Sequence, residues 1–167
     1  MYADAEARGA QWAADGDPRV TPFGKKLRRT RLDEIPQFWN ETASSGGIAR
    51  LGPLIDGEPH GMLGVSVCCE PMTETSRFDY YIAAPTSQPV PEGMEAFTVP
   101  AATWAVFTCV GPMPGAIQEM QKRIATEWLP TSGYEFGNAP DIEAYFDEDG
   151  TKPDVRSEIW VPVVKKA

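Results

Sequence analysis

The sequence holds a single histidine, His60, three cysteines, and no apolar run long enough to span a bilayer. One imidazole, set in a Pro-His-Gly turn and read as a loop histidine, leaves a metal site built on histidines or a Ser-His-Asp triad almost nothing to work with. Adjacent Cys68 and Cys69 point to opposite faces of an extended segment and lack a second pair at ligand spacing, which argues against zinc. No GxGxxG or Walker-type stretch is present, and the glycines of GPMPG read as a strand-to-helix turn. Aligning Gly150 of DEDG with the turn glycine of a calcium loop puts Tyr145 and Arg156 where the first and last acidic ligands belong, and the calcium reading fails. Neither a metal nor a cofactor is expected.

Basic charge is also scarce. Fifteen Lys and Arg stand against 24 Asp and Glu, a formal net charge of −9, which argues against a nucleic-acid surface. Solubility is the simplest consequence, and tolerance of cationic partners is another. The opening MYADAEARGAQWAADGD has no basic start followed by an apolar run, so it is not a secretory signal. A cytoplasmic protein without membrane attachment is expected, its three cysteines reduced and its strand-borne Cys109 structural.

The 167 residues are enough for one core. Residues 1–24 read as a leader and 25–167 as one domain, in halves of about 25–88 and 89–167. The spacing Leu32, Ile35, Phe38, Trp39, Thr42 predicts an amphipathic helix, with Asp33 able to cap it, Pro36 in its first turn and Ser44-Ser45-Gly46-Gly47 ending it. Met62 to Glu70 and Phe78 to Ala84 read as strands around a turn at Thr73 to Ser76. After the Pro-rich connector Gln88 to Gly93, Glu95 to Val99 and Thr103 to Val110 read as strands. GPMPG then leads into a helix with Ile117, Met120, Ile124 and Trp128 on one stripe. Asp141 to Phe146 and Ser157 to Val163 close the pattern as strands. This order predicts an α+β fold, a tandem β-α-β-β duplication with pseudo-twofold symmetry and a mixed or antiparallel sheet carrying two helices.

The last two strands carry the functional signal. In DIEAYF, Glu143 and Tyr145 share a side, opposite Ile142, Ala144 and Phe146; in SEIWVPV, Glu158 and Trp160 share a side, opposite Ile159, Val161 and Val163. If the strands are neighbours, two carboxylates and two aromatics converge. Either this is the solvated face of an antiparallel sheet, or it is an aromatic pocket in which a cationic ligand gains charge pairing and cation–π contact.

FDYYIAA (78–84), PEGME (91–95), VPAATWAVF (99–107), the GP of GPMPG, EWLP (127–130), SGYE (132–135), PDIEAY (140–145) and EIWVPV (158–163) occur in an order that resembles the GyrI-like small-molecule-binding family, the effector-binding domain of AraC-type and MerR-type bacterial transcription activators. The resemblance runs from about Leu32 to Val163 and is most specific in its second half. It implies a pseudo-twofold pair of β-α-β-β units and a pocket in which an acidic residue among aromatics recognises hydrophobic, cationic or amphipathic, drug-like compounds. By motif position that role falls on Glu143, with Glu158 as second carboxylate, Tyr145 and Trp160 as same-face aromatics, and Trp39, Tyr80 and Trp104 as further walls. Trp104 replaces the Tyr that often precedes AVF in the family, which also admits a core role. No helix-turn-helix pattern precedes the first helix, so a stand-alone member is expected.

The stretch VTPFGKKLRRTRL is too polar for the family's opening strand, and an edge left open there would be covered by a homodimer or an N-terminal segment. Two other functions fit the resemblance. One is hydrolysis of reactive electrophilic natural products, with Glu143 as general base and Tyr145 or Tyr80 assisting. The other is a protein-interaction role like that of the gyrase-modulating members.

Overall fold

Apolar side chains at helical spacing build the first element, α1 (Ile35–Ser44), which runs where the sequence predicts it and ends at Gly46, whose φ of 81° takes the left-handed turn. The computed structural model describes residues 35–68, 78–147 and 149–166. The leader, Leu32 and Asp33, the VTPFGKKLRRTRL stretch, Cys69 and the turn at Thr73 to Ser76 lie outside them.

After α1 come a short helix α2 (Gly47–Leu51), a 3-10 turn (Gly52–Leu54), and strands β1 (Met62–Cys68) and β2 (Phe78–Ala83). The second half supplies β3 (Trp104–Val110), helix α3 (Gly115–Arg123), a π-helical stretch (Ile124–Trp128) and a last turn α4 (Leu129–Thr131). It continues through β4 (Tyr134–Phe136), β5 (Asp141–Tyr145) and β6 (Arg156–Lys165). The expected strand at Glu95 to Val99 does not form. Phe97 instead lies exposed and stacks on Tyr81 at 6.1 Å, because this segment has no strand partner to impose alternation. β4 was not foreseen; three residues are too few for a periodic signal.

The sheet is antiparallel in the order β2-β1-β5-β6-β3, with β4 pairing the end of β6. The first half thus contributes α1 and α2 followed by β1 and β2, the second half β3, α3 and then β4, β5 and β6, and strands β1 and β5 join the halves. The fold is α+β, as the element order implied.

Both faces of the sheet hold a core. On the face covered by α3, the stripe residues Ile117 and Ile124 bury against Cys109, Ile159, Val161 and Val163, with Met120 and Trp128 beside them. On the opposite face Leu63, Val65, Ile142 and Ala144 form a second cluster, flanked by Val67, Ala83 and Trp160. Burial on two sides explains why the sheet strands are rich in apolar residues at both parities.

Cys109 is 2% exposed in the first cluster, and burial pushes its thiol up to about 11. It should therefore react with an alkylating reagent far more slowly in the native protein than in denaturant, as peptide mapping would record. Cys109→Ala should cost about 1 kcal/mol of stability and leave ligand affinity unchanged. Lost binding at unchanged stability would contradict a structural role.

Candidate functional site

β5 carries an alternation that places Asp141, Glu143 and Tyr145 on the face covered by the helices, opposite Ile142 and Ala144. Its neighbour β1 places Gly64 directly across from Glu143 and Met62 across from Tyr145. One strand further, Tyr80 of β2 lies on the same face, across from Ser66. Gly64 has no side chain to separate these groups. The Tyr80 and Tyr145 hydroxyls both donate to Glu143 Oε2 at 2.8 Å.

The helices complete the cluster. From α1, Trp39 donates its indole N–H to the Tyr80 hydroxyl at 2.9 Å and sets its ring edge-on to Tyr145 at 4.8 Å. Phe38 lies edge-on to Tyr80 at 6.3 Å. From α3, Gln121 donates its side-chain amide to Glu143 Oε1 at 2.6 Å. Sequence reasoning missed Gln121, yet a signal existed: it lies four residues after Ile117, a polar group on the apolar stripe.

Glu143 is 7% exposed, and loss of water raises its pKa, with the hydrogen bonds from Tyr145, Tyr80 and Gln121 pulling the other way. All three donors are neutral. Among the described residues no Lys, Arg or His pairs with it. Desolvation and the Glu143 charge likewise push both phenols up, so each stays a donor at neutral pH. Asp141, half-buried on the same face and also missed in the sequence, is raised to about 7 by desolvation and then by the charge of Glu143. The site is thus a desolvated acidic group framed by rings, suited to a partner that brings positive charge and apolar surface together.

The expected convergence of Glu143 with Glu158 does not occur. The strands are neighbours, but the register sets Ala144 opposite Glu158 and Ile142 opposite Trp160, so Glu158 and Trp160 lie on the other face of the sheet. There Trp160 donates to Glu158 Oε2 at 3.0 Å and Arg156 stands 3.7 Å from Oε1, a locally satisfied group. Trp104 also belongs to that face, opposite Pro162, and donates to the Pro140 carbonyl at 3.2 Å. The structure therefore brings together Glu143, Tyr145, Tyr80 and Trp39 and separates Glu158, Trp160 and Trp104 from them.

The model of the integron-associated effector binding protein family matches residues 21–163. Among solved structures, SAV2435 bound to tetraphenylphosphonium is 26% identical, covers 81% of either chain and superposes with a TM-score of 0.70. A Staphylococcus aureus MU50 protein described in terms of bacterial transcription regulation is 26% identical over 81% of this chain and 83% of its own, with a TM-score of 0.69. A shorter likeness is to sugar-phosphate transferases. A Bacillus subtilis (strain 168) protein named for undecaprenyl-phosphate N-acetylgalactosaminyl 1-phosphate transfer is 49% identical over 53 residues, 32% of this chain and 28% of that protein. The UDP-glucose:undecaprenyl-phosphate glucose-1-phosphate transferase of Escherichia coli (strain K12) is 48% identical over 50 residues, 30% of this chain and 10% of the enzyme. The chain thus spans little more than a quarter, or less, of these transferases.

Proposed function

The chain belongs to the integron-associated effector binding protein family, a small-molecule-binding family of GyrI-like fold, and from that premise we propose that its ligand is a hydrophobic organic cation anchored by Glu143. The observation that carries this reading is the Glu143 carboxylate itself, 7% exposed and held by three neutral donors with no basic partner among the described residues. A buried carboxylate left without a counter-charge is costly, and a cation entering between α1 and α3 would offset that cost. Tyr80, Tyr145 and Trp39 supply the faces and edges on which apolar groups of the ligand rest. Tetraphenylphosphonium, bound in the SAV2435 structure, combines a permanent charge with four aromatic rings and is the natural probe.

The geometry suits an anchor better than a general base. Two phenols donate to Oε2 and an amide to Oε1, so the carboxylate is held as an acceptor rather than directed at a water. No helix among the described residues is long and apolar enough to cross a membrane. We place the protein in the cytoplasm, where a small amphipathic cation reaches it from solution.

The test is calorimetric titration with tetraphenylphosphonium across pH. This cation does not titrate, so any pH dependence belongs to the protein. Protonation neutralises the acids that attract it, and both Glu143 and Asp141 are shifted upward, Asp141 to about 7. Affinity should therefore rise as pH rises through about 7 and level off above it, with protons released on binding. Asp141→Asn should flatten that step. Affinity that is flat from mildly acidic to mildly alkaline pH, or an absence of binding, would count against the reading.

A further inference from the structure

The two oxygens of Glu143 are not equivalent. Oε2 receives two phenolic hydroxyls, from Tyr80 of β2 and Tyr145 of β5 itself, and both donors stand on the sheet. A carboxylate oxygen has about two acceptor positions, so Oε2 is filled. Oε1 receives one donor, the Gln121 amide at 2.6 Å, and that donor comes from the helix across the site rather than from the sheet. Gln121 is half-buried, and its long side chain can swing without moving a strand.

We infer that Gln121 is a specificity-determining residue that holds one of the two acceptor positions of Oε1 in place of a ligand: a cation bearing several N–H groups fills both positions only by displacing the amide, whereas a quaternary cation binds beside it. The inference rests on the reading of the site as a cation anchor. The chemical reason is the difference between the two ligand classes. An ammonium or amidinium N–H forms a charge-assisted hydrogen bond to a carboxylate oxygen, stronger than the neutral amide bond it replaces. A quaternary centre has no N–H, reaches the carboxylate only through its field and the aromatic faces, and leaves the amide where it is. The resting amide thus imposes a toll on N–H cations alone and biases the site toward quaternary ones.

The experiment compares naphthylmethylammonium with its N,N,N-trimethyl counterpart by calorimetry on the wild-type chain and on Gln121→Met and Gln121→Asn. Met keeps the volume without a donor; Asn keeps the amide but is one methylene too short to reach. In both variants the primary ammonium should bind roughly five-fold more tightly, the scale of one neutral hydrogen bond, while the trimethyl cation changes by less than two-fold. Melting curves establish that each variant is folded, and the two variants together separate the bond from the packing. If both cations change by the same factor, or the primary ammonium binds more weakly in the variants, Gln121 is not a placeholder and the inference is overturned with the cation anchor intact. If neither cation binds the wild-type chain, the anchor reading falls and the inference with it.

Discussion

Glu143→Gln is expected to weaken binding of tetraphenylphosphonium by about 1.5–3 kcal/mol, roughly ten- to 150-fold, and to leave a neutral ligand of the same shape nearly unaffected. The replacement is close to isosteric, so the shape of the side chain within the cluster is kept. What disappears is a charge that is 7% exposed and surrounded by neutral donors. The estimate exceeds that for a surface ion pair because little water is left to screen the interaction. Stability should not fall in step with affinity. Removing a desolvated carboxylate relieves a burial cost, and the Tyr80 and Tyr145 hydroxyls can rotate to meet an amide oxygen. Calorimetry with the cation and the neutral analogue, beside thermal unfolding, checks both statements. Equal losses for both ligands would show that Glu143 shapes the site without supplying charge recognition.

The same residue marks how far the sequence could be read. Glu143 and Tyr145 sit two apart in one strand, and strand periodicity alone puts them on one face, where the structure has them bonded at 2.8 Å. The apolar stripe of α3 and the core face of β6 follow from the same kind of local rule, and Ile117, Ile124, Ile159, Val161 and Val163 are all buried together. Whether Glu143 shares a face with Glu158 depends on the pairing of two strands, and a shift of one residue reverses the answer. The expectation assumed one core face for the whole sheet, with Ile142 and Ala144 beside Ile159 and Val161. The protein has a core on each face, so the apolar sides of β5 and β6 point in opposite directions. Nothing within either strand encodes that choice. Tyr80 and Trp39, far apart in sequence from Glu143, came from the family resemblance; the hydrogen bonds that join them to it exist only in three dimensions.

Gly64→Ala should destabilise the protein by about 1–3 kcal/mol, a melting temperature lower by several degrees, and should abolish high-affinity cation binding. The sign is the informative part. In the middle of a strand glycine is ordinarily a weakness, and adding a methyl group would be expected to stabilise by reducing the freedom of the unfolded chain. Here a Cβ on Gly64 would overlap the Tyr80 hydroxyl, stand 2.8 Å from Tyr80 Cζ and 2.9 Å from Glu143 Oε2. None of these atoms is a loose end, because Tyr80 is tied to both Trp39 and Glu143. The methyl group therefore has to push the phenol off the carboxylate, breaking the Trp39–Tyr80–Glu143 chain and leaving Oε2 one donor short. A double-mutant cycle assigns the cost: in a Tyr80→Ala background, where the ring that would be struck is gone, Gly64→Ala should be far less destabilising, with a coupling of about 1 kcal/mol or more. A penalty of the same size in both backgrounds would place the strain elsewhere in β1 and remove Gly64 from the construction of the site.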